Sequence, residues 1–362
     1  MIDPETKRVA LLCTRGLPAS YGAFEQCVDQ ICRLAETNDP LSVTFVVGSE
    51  ASQRKKSIDH RNVIRIFCPR FGGLGVLVYG FLTTIHAILM RCKTLVFFGY
   101  SMAPLFPVLS VFGFKVVVNV DGFEWRRRKW NKTAKLYFKV CEAICGRSNV
   151  TLISDAHTIQ RYYRIKYRKN SSLIRYGSEK MRDMKPVSVD FSKYSVQAFQ
   201  YLVVVMRLEP ENNIEEIFQG FLSSDTCLKL LVIGPSTPFF EKKLEACARE
   251  SDRISYIGSV YDRPTLFALR SHAAIYIHGH SVGGTNPTLV EACEIGQPII
   301  AYDSVFNREV LGNDAVYFKS SSDLEKILSH RSGSIPAPPN LDASYQWATI
   351  SQQYMNAINL KD

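Results

Sequence analysis

Short runs of consecutive apolar, β-branched residues recur through the first half of the chain: VALLCTRG (9–16), VTFVVGS (43–49), VIRIFCP (63–69), TLVFFGY (94–100), KVVVNVDG (115–122) and VTLISD (150–155). Stretches of helical spacing separate them. Continuous rather than alternating hydrophobicity predicts strands covered on both faces, as in the parallel sheets of doubly wound α/β domains. After a polar, charge-mixed stretch the alternation restarts with YLVVVMR (201–207), LKLLVIG (228–234), ISYIGS (254–259), AAIYIHGH (273–280), PIIAYDS (298–304) and AVYFKS (315–320). The pattern predicts two Rossmann-like, doubly wound parallel-sheet domains, residues 1–185 and 186–344, and a closing helix in 345–362. Open α/β sheets place ligands outside the carboxyl ends of their strands, so the expected site is a cleft between two such domains.

A length of 362 residues with 46% apolar content supplies two cores of ordinary size. One segment, FGGLGVLVYGFLTTIHAILM (71–90), is long and apolar, but its glycines, His86 and threonines argue against a membrane span. Two readings stay open for it, a helix buried in the first domain and a helix with one face in a bilayer surface. The formal charge of +10 is uneven: residues 1–185 hold 30 Lys and Arg against 14 acids, leaving the remainder net negative. Such asymmetry points to an anionic partner, a nucleic acid or a membrane leaflet. With no zinc finger or RNA-recognition signature, and an apolar segment in the basic half, the membrane is favoured. The opening MIDPETKR has no apolar run, so the expected location is cytoplasmic, peripheral to the inner face of the membrane. Ten scattered cysteines without zinc spacing are expected to be buried, reduced thiols.

The candidate chemistry sits where strands are expected to end. Arg207 closes one apolar run, and a guanidinium there can grip a diphosphate through paired, charge-assisted hydrogen bonds. In HGHSVGGTNPTLVEA (278–292) a strand gives way to a small-residue loop and then to a helix beginning near Pro287. Gly283, Gly284, Thr285 and Asn286 would then present an anion site at a helix start, with Glu291 one turn inward toward ribose hydroxyls. Asp121 and Glu124 in VDGFEW follow a first-domain strand and are the candidate catalytic carboxylates. RRRKW places Arg126, Arg127, Arg128 and Lys129 directly after them, a cationic run suited to a negatively charged acceptor or a membrane. RYYRIKYRKN (161–170) is a second basic, aromatic stretch, expected on a surface helix.

Arg207 with the following ENN, and GGTNPTLVEA, resemble the donor-binding half of family 4 retaining glycosyltransferases of the GT-B fold. TRGLPASYGAFE (14–25) and NVDGFEWRRRKW (119–130) resemble a bacterial rhamnosyltransferase subgroup of that family. The resemblance implies a nucleotide-sugar donor, a lipid-linked or glycan acceptor of cell-surface polysaccharide synthesis, and attack on the donor face with no protein nucleophile. By position, Gly22 and Ala23 would approach the donor phosphates, with Glu25 at the next helix start on the acceptor side. The chain departs from the family at three places: Ala23 replaces a glycine, Asn212 a lysine, and Gly283 the first of two glutamates of which Glu291 is the second. The lost carboxylate suits a donor with fewer hydroxyls, such as dTDP-rhamnose. The sequence contains no Asp-x-Asp, so neither a metal nor any other cofactor is expected. A nucleotide-sugar epimerase of the same plan is the alternative reading. A nucleic-acid-binding protein explains only the charge, and an NAD-linked oxidoreductase lacks GxGxxG between strand and helix.

Overall fold

The computed structural model describes residues 7–15, 17, 22–38, 43–50, 62–66, 72–178, 187–236, 240, 251–330 and 335–359. All twelve apolar runs form strands. The first sheet contains β1 (Lys7–Leu12), β2 (Val43–Glu50), β3 (Asn62–Ile66), β4 (Thr94–Phe98), β5 (Lys115–Asn119), β6 (Thr151–Ser154) and β7 (Ser171–Leu173) in the order β3-β2-β1-β4-β5-β6-β7, every pair parallel. β7, a half-exposed Ser-Ser-Leu, is too short and too polar for the apolar pattern to register. The second sheet contains β8 (Tyr201–Val205), β9 (Lys229–Ile233), β10 (Ile254–Tyr256), β11 (Ile275–His278), β12 (Ile299–Tyr302) and β13 (Val316–Phe318), ordered β10-β9-β8-β11-β12-β13 and again parallel throughout. In each sheet the strand order reverses beside the first strand, where doubly wound domains bind ligands.

The chain divides into two compact units, one of residues 1–125, 132–177 and 343–362, the other of residues 126–131 and 178–342. In the first unit α1 (Ala23–Asn38) and the closing helix α11 (Trp347–Asn359) cover one face of the sheet. Val28, Ile31, Trp347, Ile350 and Tyr354 share a buried cluster with Val9, Leu11, Val96 and Val117. Asn119 Nδ2, at the end of β5, donates to Tyr354 Oη at 2.6 Å, which fixes the strand end to the last helix. Gly177 lets that helix sit close: a Cβ there would stand 2.8 Å from Ile350 Cδ1.

The crossovers to β4, β5, β6 and β7 run along the sheet in the direction opposite to those reaching β2 and β3. Right-handed connection therefore puts α2 (Gly72–Leu89), α3 (Phe106–Val111), α4 (Lys132–Arg147) and α5 (His157–Tyr167) on the other face. The buried reading of 71–90 is corrected here. α2 sends Tyr79, Thr83, Thr84 and Ala87 inward, while Leu74, Val78, Phe81, Leu82, Ile85 and Leu89 are exposed. No described helix is long and apolar enough to cross a membrane.

The second unit has α6 (Ile214–Ser223), α7 (Arg263–Ser271), α8 (Pro287–Ile295), α9 (Val305–Leu311) and α10 (Ser321–Ser329). Its core gathers Leu202, Val204, Leu230, Val232, Ile277 and Ile300 from the strands with Ile217, Phe221 and Leu324 from α6 and α10. Among the described cysteines all are free thiols, most of them buried, but Cys227 is exposed, contrary to the expectation for it. Cys68 and Cys247 lie outside the described residues.

Candidate functional site

Three loops meet at the carboxyl end of the second sheet, after β8, β11 and β12. Met206–Glu209 leave β8, a 3-10 turn runs Pro210–Asn212, and Asn213 takes the left-handed conformation (φ 50°) before α6. Asn213 Nδ2 donates to Gly279 O at 2.8 Å, and Ser281 Oγ donates to Glu211 O at 2.7 Å, so the β8 and β11 loops are stitched together. Gly279 is required by that approach, since a Cβ would lie 2.0 Å from Asn212 O. Asn307 of α9 ties in the third loop, its Nδ2 donating to His280 O at 2.9 Å and Tyr302 O at 2.8 Å.

Asn212 stands 6% exposed with both ends of its amide engaged: Nδ2 donates to Arg207 O at 2.6 Å and Oδ1 lies 2.6 Å from His280 Nδ1. The Arg207 carbonyl fixes the amide orientation, so the ring nitrogen is the donor to Oδ1. Asn212 thus shapes the loop beneath Arg207. Burial, reinforced by the charges of His278, Arg127 and Arg207, holds His280 well below its ordinary value, so the ring is neutral. His278, fully buried, is lowered to about 3 by burial and then by Arg270. The reading of the sequence passed over both histidines, although HGH at a strand end was the available signal.

Arg207 is half-buried amid a charge cluster. Arg127 Nη1 lies 3.5 Å from Glu211 Oε1, Lys129 Nζ 3.4 Å from Glu209 Oε1, and Arg128 Nη1 3.9 Å from Glu216 Oε1. Arg127, Arg128 and Lys129 of the cationic run are therefore each set against an acid within the second unit. Burial pushes Glu209 up, but Arg207, Lys129 and Arg127 outweigh it and hold that carboxyl below its usual range. Glu211, 1% exposed, is raised by burial and by the charge of Glu209. Burial and mutual repulsion thus push the two carboxyls apart in their affinity for a proton, while three cations, Arg207, Arg127 and Lys129, surround them.

At the loop before α8 the N-cap and Pro287 decide which amides remain as donors. Asn286 is the N-cap: its Oδ1 accepts from Thr288 N at 3.0 Å and its carbonyl from Leu289 N at 3.0 Å. Pro287 has no N–H, so the first turn of α8 has no amide to offer, and donors to an anion would come from 283–286. Gly283, Gly284 and Thr285 are buried. Gly283 adopts φ 129°, and a Cβ there would stand 2.9 Å from His280 Nε2, which explains the absence of a side chain at this point. Glu291, expected to face a ribose, is 8% exposed, with Oε2 2.5 Å from Nη1 of the fully buried Arg270 and Oε1 3.9 Å from Arg263 Nη2. Arg270 also donates to Thr288 O at 2.7 Å and lies over the Tyr276 ring. One carboxylate oxygen of Glu291 is thereby committed to orienting it.

In the first unit the candidates occupy strand ends of one sheet. Gly22 precedes α1 and Ala23 opens it. Glu25, expected toward an acceptor, is 4% exposed and accepts the Arg15 N–H at 2.7 Å, so it closes its own loop. Asp121 follows β5 in the left-handed region (φ 50°), its N–H donating to Asn119 Oδ1 at 2.9 Å. Holding a non-glycine residue there costs about 1 kcal/mol or more, a strain that clusters at functional sites. Glu124 N donates to Tyr100 Oη at 3.0 Å, and Trp125 Nε1 to Glu142 at 2.6 Å. Glu142 also accepts from Tyr162, Tyr167 and Lys166, which together bring its carboxyl below the usual range despite burial. The basic aromatic stretch of α5 thus serves, in part, to hold the loop that carries Asp121 and Glu124. Among the described residues no three His, Cys, Asp or Glu side chains are grouped as metal ligands.

Two Rossmann-like parallel-sheet domains in one chain constitute the GT-B architecture. Residues 191–328, within the second unit, match the family model of glycosyl transferases group 1. Residues 6–179 match a domain of unknown function (DUF1972). No curated protein matches the sequence. Among solved structures the chain is similar to sucrose-phosphate synthase from Thermosynechococcus elongatus, with TM-score 0.72 and 14% identity over 97% of this chain and 94% of that one. It is also similar to Anabaena HepE in complex with UDP-glucose (TM-score 0.65, 14% identity, 97% and 95% covered). WaaG, a glycosyltransferase involved in lipopolysaccharide biosynthesis, has TM-score 0.65 and 14% identity over 97% and 96%. At these identities the likeness is one of fold.

Proposed function

We propose that the chain is a glycosyltransferase that moves a sugar from a nucleotide diphosphate donor to a lipid-linked glycan at a membrane, with retention of configuration and without a metal ion. The observation that carries the reading is the cluster at the carboxyl end of the second sheet. Three cations, Arg207, Arg127 and Lys129, stand against two carboxyls, Glu209 and Glu211, an excess of positive charge suited to a diphosphate. Low dielectric around such a cluster strengthens its hold on the charge that develops on a departing diphosphate. The amides of 283–286 would add donors, and Glu291, braced by Arg270, would take a ribose hydroxyl. Asp121, on its strained turn, would orient the acceptor hydroxyl, with Glu124 beside it.

Rhamnose from dTDP-rhamnose is the donor this reading favours. Support comes from Gly283, whose backbone conformation and proximity to His280 leave no room for a carboxylate to grip a further hydroxyl. The test is turnover with EDTA present, across dTDP-rhamnose, UDP-glucose, UDP-GlcNAc and GDP-mannose, with and without membrane lipid extract. Release of nucleotide diphosphate from one donor, dependent on the lipid extract, is the expected result. Conversion of donor without any acceptor would select the epimerase, and absence of any turnover that divalent metal restores would remove metal independence.

A further inference from the structure

We propose that the outer surface of the α2–α5 layer docks on an anionic phospholipid bilayer. The helix α2 is turned inside out relative to a helix on a water-facing domain. Its inward stripe is small or hydroxylated: Gly75, Tyr79, Gly80, Thr83, Thr84 and Ala87 are buried, and both threonine hydroxyls return to Gly80 O at 3.0 and 2.7 Å. Its bulky apolar side chains face outward at helical spacing, Leu74 at 64% and Leu89 at 73% exposure marking the two ends. A packed interior explains the inward stripe, because a Cβ on Gly80 would already stand 2.9 Å from Met102 Sδ. The outward stripe has no such account within the fold.

The same layer continues the apolar surface and adds charge of one sign. Val111 and Phe112 at the end of α3 are 85% and 72% exposed, and Leu136 and Val140 of α4 and Ile165 of α5 are exposed as well. In residues 72–125 and 132–177 the sequence holds 13 lysines and arginines and four acids, Asp121, Glu124, Glu142 and Asp155. Not one of those acids is exposed, whereas Arg91, Lys93, Lys132, Arg161 and Arg164 are. Outward apolar side chains accompanied, on the same layer, by exposed cations and by no exposed acid match the interface of an anionic bilayer, where acyl chains receive the former and headgroups the cations. A second copy would bring the same positive charge against itself, and a nucleic acid would leave the leucines and Phe112 in water.

The inference deepens the proposed membrane acceptor by naming the surface that reaches the membrane, and it is independent of the donor chemistry. The full chain is sedimented with vesicles of phosphatidylglycerol and phosphatidylcholine, or of phosphatidylcholine alone, at low and high salt. Binding to the anionic vesicles, weakened at least roughly tenfold by high salt or by neutral lipid, is expected. The combined L82E, L89E and F112E variant should lose that binding by at least tenfold while keeping the wild-type melting temperature. The nucleotide-sugar thermal shift, recorded on the same samples, should be unchanged, so a failure of donor binding is seen separately from a failure of docking. Absence of vesicle binding, equal binding by the variant, a wild-type dimer that the variant makes monomeric, or tighter binding to RNA than to vesicles would each overturn the proposal.

Discussion

The two sheets share one topology yet differ in how their helices meet water. In α6 of the second unit Ile214, Ile217, Phe218 and Phe221 are buried and Glu215, Glu216 and Gln219 are turned outward. In α2 of the first unit the bulky apolar residues are outside and the small ones inside. The strand order and right-handed crossovers decide where a helix lies, not which chemistry it offers. Small residues of α2 and the Met102 side chain fill the interior under it, so its large side chains are released for something other than the core.

The largest effects should come from breaking the second unit's interior. Arg270→Leu leaves Glu291 buried without its partner, an expected loss of about 3–5 kcal/mol seen as a much lower melting temperature. Phe221→Ser, at a fully buried position, should cost a similar ~3–5 kcal/mol by denaturant titration. Gly279→Ala comes next. Its Cβ meets the Asn212 backbone, so about 1–3 kcal/mol of stability should go, together with nucleotide binding, because the two stitched loops must separate.

A smaller effect should appear on acidification. His278 is held near 3 against an ordinary 6.5, so the unfolded chain takes up a proton that the folded one refuses. Stability present above about 6.5 is then lost progressively as the pH falls, a drop of a few degrees in melting temperature between pH 7 and 5 that His278→Gln should flatten. The smallest effect sharpens the comparison most: Phe112→Ser, at an exposed apolar position, should change stability by no more than about 0.5 kcal/mol. A large loss there would show that Phe112 belongs to a core.

The architecture was legible in the sequence because continuous apolar runs are the signature of strands buried on both faces, and all twelve became strands. Three things escaped that pattern. β7 is too short, and the outward face of α2 cannot be told from the inward one when both are apolar. Glu291 is paired with Arg270, Asn212 with His280 as well as with nearby Arg207, and Arg127, Arg128 and Lys129 with acids 80 or more residues on; apart from the Arg207 contact and that of Glu25 with Arg15, these partners lie in distant chain segments. Position at a strand end placed the Arg207 loop and the loop before α8 at the carboxyl end of the second sheet. Which atoms there point to a ligand and which hold the loop itself is decided by packing that spacing does not encode.

The central claim is that the second unit holds a nucleotide diphosphate through Arg207, and titration calorimetry in EDTA tests it most directly. dTDP, UDP and GDP are titrated into the wild-type chain and into Arg207→Ala. The account predicts that at least one of them binds without metal and that the substitution weakens it by roughly 10- to 100-fold, the worth of a charge-assisted pair, with the melting temperature of the free protein unchanged. Binding that is equal in both chains, or that occurs only after a divalent cation is added, would contradict it.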